Sequence, residues 1–367
     1  MSVKKNGLTF FDRLILWLNY AMVAALLIGY LAPWVDPRTV WLIAFFGLAY
    51  PPVLLLNVIL IVYWLIRKSR WALLSVICIL IGWTVLNNNI GFRLPTTQVA
   101  HRDSNVIRMM NYNVHSFKKY GAKNDVSTRH DILEIINHEQ PDIIGFEEFY
   151  SRKNSPYAMV DSIEKILKTN QCHFETILYN TMGMAIFSKY PIINRGIVWL
   201  NEPQNLNQCV FVDIKKQERT FRVYIIHLQS ISFNPEDYKY LSDVSKKGKT
   251  DMTSSRRIGG KLKHAFLKRS EQVAMLKKDM ATCPYPYIVA GDFNDTPSSF
   301  AVNQMAKGLK NAFREKGSGL GRTYNGDFPN YQIDYILTTQ QFDVLTYGVI
   351  RKKLSDHYPV YSDLRLK

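Results

Sequence analysis

Tyr287-Ile-Val-Ala-Gly-Asp-Phe-Asn-Asp295 is the stretch from which the rest of the chain is read. Tyr287 to Ala290 is a short run of β-forming and apolar residues, which suits a buried strand cut off by Gly291. Asp292 and Asn294 stand two residues apart, so an extended chain projects them to the same side. One is an anionic acceptor and the other an amide with donors and acceptors both. Such a pair is able to orient a water and hold a phosphate oxygen. Gly-Asp-Phe-Asn-Asp is equally ordinary turn chemistry. The functional reading gains weight because other polar clusters also end apolar strands.

Asn111-Tyr112-Asn113 ends the run from Val106, and Glu147-Glu148 ends Asp142 to Phe146. His227 ends the strand from Arg222, ahead of Leu228-Gln229-Ser230. Asp334 sits in Gln-Ile-Asp-Tyr-Ile-Leu, and Asp356-His357 in Leu-Ser-Asp-His-Tyr-Pro-Val. Carboxylates and amides with two histidines and no cysteine suit a hard cation, Mg²⁺ or Mn²⁺, better than zinc. A metal, a carboxylate-oriented water and imidazoles facing phosphate oxygens make a phosphodiester-hydrolysing site. Taken singly, His227 reads equally as a core histidine, Asp334 as a salt-bridged strand-end acid, and Asn111 as a structural turn residue. His101, His115, His130, His138, His173 and His264 show no partner pattern. Arg322-Thr323-Tyr324, ahead of the Asp334 strand, is a candidate for reaching substrate.

In order along the chain, Asn113, Pro-Asp-Ile-Ile-Gly-Phe-Glu-Glu148, Gly-Met-Ala-Ile-Phe-Ser188, Ile-His227-Leu-Gln, Gly-Asp292-Phe-Asn294, Ile-Asp334-Tyr-Ile and Ser-Asp356-His357-Tyr-Pro-Val resemble the endonuclease/exonuclease/phosphatase superfamily. That superfamily includes deoxyribonucleases, apurinic endonucleases, neutral sphingomyelinases and inositol-polyphosphate 5-phosphatases. The resemblance covers residue 106 to the end. It implies a four-layer α/β sandwich, two packed mixed sheets flanked by helices, and Mg²⁺-dependent phosphoester cleavage. It implies that Glu148 is the main metal ligand, that Asn113 supports it, and that Asp356 is a secondary ligand. Glu147 stands where the family often has Gln. Asp292 matches the group that orients or deprotonates the attacking water, and Asn294 its partner on the phosphate. His357 matches the histidine on the scissile phosphate, Asp334 the carboxylate that sets its tautomer, and His227 a second phosphate-facing histidine. Whether His357 or Asp292 is the base stays open.

The 367 residues divide sharply in composition. Leu14 to Leu31, Val40 to Ile66 and Trp71 to about Leu86 are apolar runs, and at ~1.5 Å per residue the first is able to span a bilayer. Pro51-Pro52 is expected to kink the second, and polar groups within the runs, such as Asn57, read as isolated. These features predict a membrane anchor over 1–92 with about three transmembrane helices, a polar linker over 93–105, and a catalytic domain over 106–367. Lys4, Lys5 and Arg13 precede the first run, and Arg67, Lys68 and Arg70 follow the second. Three crossings then put the catalytic domain on the extracytoplasmic, periplasmic side. A third run that does not cross puts it in the cytoplasm.

Net charge is +16, of which about +10 falls after residue 95. That favours a polyanionic or phosphate-bearing partner, or an anionic membrane surface. Four scattered cysteines support neither a disulfide framework nor a zinc site,. Residues 232–263 form a basic insertion, read as a solvated flexible loop or as a flap meeting phosphate head groups or a nucleic-acid backbone. Thr128 is a candidate cap for a helix over Asp131 to Glu139. The leading function is a membrane-anchored, metal-dependent phosphoester hydrolase acting on nucleic acid or a phospholipid head group. The alternatives are a sphingomyelinase or phospholipase C-type lipid phosphodiesterase, and a catalytically silent binding module. A transporter reading finds too few spans.

Overall fold

The structure, a computed structural model, describes residues 8–94, 105–119, 126–248, 250–326 and 330–367. Lys4, Lys5, Lys249 and residues 95–104 of the expected linker lie outside the described residues. The chain forms two compact units, Met1–Asn89 with Thr296–Asn303, and Ile90–Asp295 with Gln304–Lys367.

The first unit is built on helices α1 (Phe10–Gly29), α2 (Trp41–Leu48), α3 (Tyr50–Ile66), α4 (Ala72–Ile81) and α5 (Trp83–Asn89). Thr9 opens α1 with a reciprocal cap, its N–H donating to Asp12 Oδ2 (2.9 Å) and its hydroxyl accepting from Asp12 N (3.2 Å),. Large apolar side chains such as Phe10 and Trp17 are exposed, while Asn19, Asn57 and Ser75 are buried. Asn19 Nδ2 donates to Ser75 Oγ (2.6 Å), Ser75 Oγ to Asn57 Oδ1 (2.8 Å), and Trp64 Nε1 to Asn19 Oδ1 (3.0 Å). The polar groups of the apolar runs are therefore not isolated, as expected, but satisfy one another, because a buried amide without a partner is costly.

Among the described residues, α1 is the helix long and apolar enough by itself to cross a membrane, with a mean hydropathy of 1.6. The second apolar run divides into α2 and α3, bent by 58°, and the third into α4 and α5, bent by 75° at Gly82. Each pair qualifies only if counted as one bent span. Pro51 and Pro52 lie in the first turn of α3, where an absent N–H costs nothing, and the 58° bend falls just ahead of them, where a kink was expected,.

From residue 106 the chain runs β1 (Val106–Asn113), a 3₁₀ turn (His115–Phe117), α6 (Val126–Glu139), β2 (Ile143–Tyr150), α7 (Met159–Leu167), β3 (Gln171–Leu178), β4 (Met182–Ser188), β5 (Ile192–Val198), β6 (Cys209–Lys216) and β7 (Arg219–His227). It continues with α8 (Pro235–Lys247), α9 (Met252–Met280), β8 (Tyr287–Asp292), α10 (Phe300–Ala306), β9 (Lys310–Asn311), α11 (Ala312–Lys316), β10 (Asp334–Thr338), β11 (Phe342–Val344), β12 (Gly348–Val349) and β13 (Val360–Leu366). One sheet is ordered β11-β13-β1-β2-β4-β3, with β12 also on β13, and the other β5-β6-β7-β8-β10-β9. Both are mixed, since β1–β2 and β7–β8 are parallel and their neighbours antiparallel.

Strand alternation builds the layers. Ile107 and Met109 of β1 meet Val210, Val223, Ile225 and Ala290 of the facing sheet in the central core. Met110 and Tyr112, on the opposite face of β1, pack with Ile132, Ile135 and Ile136 of α6 and Ile163 of α7. On the outer side of the second sheet, Tyr224 Oη donates to Asp279 Oδ1 of α9 (3.0 Å). This is the expected pair of mixed sheets flanked by helices. Two local expectations are corrected. Thr128 lies inside α6 and caps nothing, because the helix begins earlier, at Val126. Most of the described insertion is helical rather than a flexible loop: α8 (Pro235–Lys247) starts on an Asn234–Asp237 capping box, and α9 extends back to Met252 on an Asp251 cap,.

The parallel register of β7 and β8 sets Ile226 beside Gly291 and His227 beside Asp292. Gly291 has φ +147°, and a Cβ there would lie 2.0 Å from Ile226 O. Gly291→Ala is expected to destabilise the protein by at least about 2 kcal/mol, by prising β7 from β8. An unfolding midpoint equal to wild type in urea would overturn this.

Candidate active site

Four strand ends and the turn before β13 converge at one end of the two sheets. Asp292 ends β8, His227 ends β7, Asp334 begins β10, Asn113 ends β1, and His357 precedes β13. Register alone aligns the first three, since Asp292 is paired with His227 on one side and Asp334 on the other. Asp292, Asp334 and His357 bring their ligand atoms within 4.8 Å of one another. His357 Nδ1 lies 3.0 Å from Asp334 Oδ2, and His357 Nε2 and His227 Nε2 lie 3.5 and 3.7 Å from Asp292 Oδ2. Asn113 Nδ2 donates to Asp292 Oδ2 (3.2 Å) and to Glu148 Oε1 (3.4 Å), joining the acids of the two sheets.

The adjacent acids are separated by an irregularity in β2. Register slips between Phe146 and Phe149, and Glu148 takes φ +49°. Glu147 is thereby fully buried and accepts from Asn111 Nδ2 (3.1 Å). Glu148 remains a quarter exposed, with Oε2 3.5 Å from His115 Nδ1. Burial pushes the Glu147 carboxyl well above its ordinary range, with Asp334 and Asp292 adding to the effect. Burial acts on Glu148 in the same direction, but His115, His227 and His357 outweigh it and hold it at about 2. Two neighbouring glutamates are thus shifted in opposite directions.

Burial pushes Asp292 up to about 6, against the pull of His357 and with the push of Asp334. Burial would lower the His357 imidazole, yet Asp334 and Asp292 hold it well above its ordinary value. The two carboxylates thus favour the protonated imidazole, with Asp334 at Nδ1 fixing its orientation,.

Asn294 is placed differently from the expectation of an extended chain. The chain turns after Asp292: Asn294 takes φ +51° and its N–H donates to Asp292 Oδ1 (2.8 Å). Asn294 Nδ2 donates to Leu228 O (3.0 Å), so its amide holds the strand end of β7 instead of projecting beside Asp292,. Turn chemistry and site chemistry coincide here. Asp356 Oδ1 accepts from Ser355 Oγ (3.0 Å) and lies 3.8 Å from His115 Nδ1. Tyr324 packs edge-on against His357, with ring centroids 5.4 Å apart, and Thr323 Oγ1 accepts from Asp334 N (3.1 Å). The Arg322–Tyr324 segment therefore supports the His357–Asp334 pair.

Sequence reading passed over His115, Ser355 and the Arg269–Asp295 pair. His115, Ser116 and Phe117 all have left-handed φ, from 44° to 59°, and this run brings His115 to Glu148 and Asp356. The available signal was its position two residues after Asn113. Arg269, buried on α9, donates through Nε to Asp295 Oδ2 (2.9 Å) and through Nη1 to Gln229 O (3.0 Å), clasping the ends of β7 and β8 together.

The donors at this end suit a hard divalent cation. Glu148, Asp292, Asp334 and Asp356 gather at this end with the imidazoles of His115, His227 and His357, and oxygen-rich donor sets of this kind suit Mg²⁺ or Mn²⁺,. Asn113 turns its Nδ2 toward the acids and its Oδ1 toward His115 N (3.2 Å), so it steadies Glu148.

A family model described as Endonuclease/Exonuclease/phosphatase family matches residues 110–357, and one described as a domain of unknown function matches residues 12–89. Among solved structures, an endonuclease/exonuclease/phosphatase from Beutenbergia cavernae is 19% identical with a TM-score of 0.51, covering 71% of this chain and 72% of that one. One from Bacteroides vulgatus is 16% identical with a TM-score of 0.51, covering 71% and 99%. A humanized D. rerio TDP2 is 13% identical with a TM-score of 0.50, covering 72% and 100%. No curated protein matches. At these identities the likeness to solved structures speaks for the fold.

Proposed function

The chain belongs to the endonuclease/exonuclease/phosphatase family of phosphoester hydrolases, and from that premise we propose that it is a divalent-cation-dependent hydrolase tethered to a membrane. The observation that carries the proposal is the Asp334–His357–Asp292 chain, with Glu148 ionised beside it.

In this reading a divalent cation, Mg²⁺ or Mn²⁺, held by Glu148 and Asp356 supplies positive charge to the phosphoryl oxygens when bound. Asp292, raised toward neutrality, accepts the proton of the attacking water through Oδ2, because a base works best near the ambient pH. Asn113 and the Asn294 N–H hold that carboxylate in place. His357 Nε2–H donates to a non-bridging oxygen or to the leaving group, and Asp334 keeps the imidazole protonated and aligned. His227 Nε2 faces the same oxygen of Asp292 and contacts the phosphate from the other side. Asn294 acts by shaping the turn.

Chelation is expected to lower hydrolysis of bis-p-nitrophenyl phosphate by the detergent-solubilised chain at least ~100-fold, with recovery on adding Mg²⁺ or Mn²⁺. Glu148→Gln is expected to raise the Mg²⁺ concentration needed for half-maximal rate about tenfold or more. Full activity in EDTA, or an unchanged Mg²⁺ requirement in the variant, would sink the metal assignment. A chain with no hydrolytic activity under any of these conditions would be the silent binding module.

A second reading is a lipid phosphodiesterase of the sphingomyelinase or phospholipase C type. The apolar exterior of α1 favours it, since a tether concentrates the enzyme at lipid,. The basic catalytic part favours nucleic acid as well,. Side-by-side hydrolysis of sphingomyelin vesicles and supercoiled DNA separates the two. If both bent helix pairs cross with α1, the charge bias places residues 106–367 on the extracytoplasmic side, which an alkaline phosphatase fusion at Lys367 would report.

A further inference from the structure

A groove of about 500 Å³ opens between the segment leaving β7 and the exposed side of α9, lined by Gln229, Ser230, Ser232, Arg257, Lys261 and His264. Arg257, Lys261 and His264 follow one another at helical spacing, so one face of α9 carries a guanidinium, an ammonium and an imidazole,. The groove begins at Gln229, two residues beyond His227. Arg269 holds Gln229 O and Asp295 at once, fixing that wall to the end of the Asp292 strand.

Two features of the groove have no packing explanation. Gly259 and Gly260 lie inside the 29-residue helix α9, past its second turn, where glycine is unfavourable, yet a Cβ on either would meet nothing within 4 Å,. Gly260 is exposed and borders the groove, so the missing side chain leaves the donors accessible. Arg257 spends only Nε on Asp237 (2.8 Å), which leaves its fork of terminal N–H groups directed elsewhere. The buried Asp237 carboxylate also takes Lys261 Nζ (2.6 Å), whose other two protons go to Ser232 O (2.8 Å) and Asn234 Oδ1 (3.0 Å), so Lys261 ties the groove wall together and contributes its charge rather than a free donor,.

We propose that this groove is an anion subsite that takes a second phosphate of the substrate, beside the scissile one. The subsite deepens the hydrolase reading and rests on it for the identity of the first phosphate. The planar Arg257 fork and the His264 imidazole on one wall, with the Ser230 and Ser232 hydroxyls opposite and the Lys261 charge beside them, match the oxygens of a phosphate monoester,.

The test is calorimetric binding to the full chain in detergent with Mg²⁺ present. Thymidine 5′-phosphate is compared with thymidine 3′,5′-bisphosphate, and glycerophosphoinositol with its 4-phosphate, so that nucleotide and lipid-derived sources are told apart. The second phosphate is expected to tighten binding at least about tenfold in one pair. That gain is expected to fall below about twofold in Arg257→Gln and in Gly260→Leu. Gly260→Leu fills the groove while improving helix propensity, so a raised or unchanged Tm distinguishes blockage from misfolding. Hydrolysis of bis-p-nitrophenyl phosphate, which carries one phosphate, is expected to stay within about twofold of wild type in both variants. No gain from the second phosphate in either pair, or a gain that survives both substitutions, overturns the proposal. Absence of hydrolysis in the wild type would instead sink the hydrolase reading and leave the calorimetric result to decide the subsite.

Discussion

Replacing His357 by alanine is expected to lower phosphoester hydrolysis by about three orders of magnitude, the range of a positioned acid–base group that also donates to developing charge. The imidazole is buried, its Nδ1 is committed to Asp334, and its Nε2 faces Asp292 across 3.5 Å. No neighbouring side chain of the described site is placed to substitute, because His227 reaches Asp292 Oδ2 from its own side, at 3.7 Å. Asp334→Asn is expected to lose about tenfold to a hundredfold, since the imidazole stays but its charge and orientation weaken. His357→Gln, compared by thermal unfolding, controls for the cavity left by alanine. A His357→Ala variant that folds and retains more than about a tenth of wild-type kcat would remove His357 from the mechanism.

Asp292→Asn is expected to abolish activity and, in the metal-free protein, to raise stability at the same time. The Asp292 carboxyl is raised by burial to about 6, from an unfolded value of 3.8. The folded state therefore binds a proton more tightly than the unfolded one, and ionising the site above pH 6 costs about 3 kcal/mol. Stability from this group is fully present below pH 4 and is lost as pH rises through 6. Asparagine never ionises, so it escapes that cost at neutral pH. It also turns an NH₂ toward Asn113 Nδ2, and losing that hydrogen bond costs about 1 kcal/mol. The balance is a gain on the order of 1–2 kcal/mol at pH 7.5 that vanishes near pH 4. Urea unfolding at the two pH values measures it. A variant less stable than wild type at pH 7.5 would show that Asp292 is not held ionised against burial. The same titration gives the wild-type rate an acid limb, rising with pH through about 6 in the absence of stronger perturbation from the cation,.

Much of the fold was legible because its signals are local. Runs such as Tyr287 to Ala290 and Val210 to Ile214 are short, β-rich and bounded by polar residues, and they form β8 and part of β6,. The short strands β9, β11 and β12 were passed over, since two or three residues carry no periodicity and exist only through partners far along the chain,. The insertion was misread because lysines and glycines suggest a loop, whereas the caps at Asn234 and Asp251 and the buried Asp237 with its two cations make α8 and α9. The apolar runs were legible by composition and the bend at Ala49 by the prolines that follow it, but the bend at Gly82 was not.

By itself the sequence determined which residue types end which strands: an acid closing β8 with an amide two residues on, acids within β2, a histidine closing β7, and Asp-His before β13. That information is chemical and needs only the order of residues. The tertiary structure alone decided which of these groups meet and in what state. Sheet register set His227, Asp292 and Asp334 side by side. The slip in β2 divided two identical neighbours into a buried Glu147 whose carboxyl is pushed up and a Glu148 that is held low by three imidazoles. A left-handed run carried His115 to the acids, and the turn at Asn294 spent its amide on Leu228. Distance, burial and neighbouring charge govern protonation and reach, and these depend on contacts between residues as far apart as Asn113 and Asp292,.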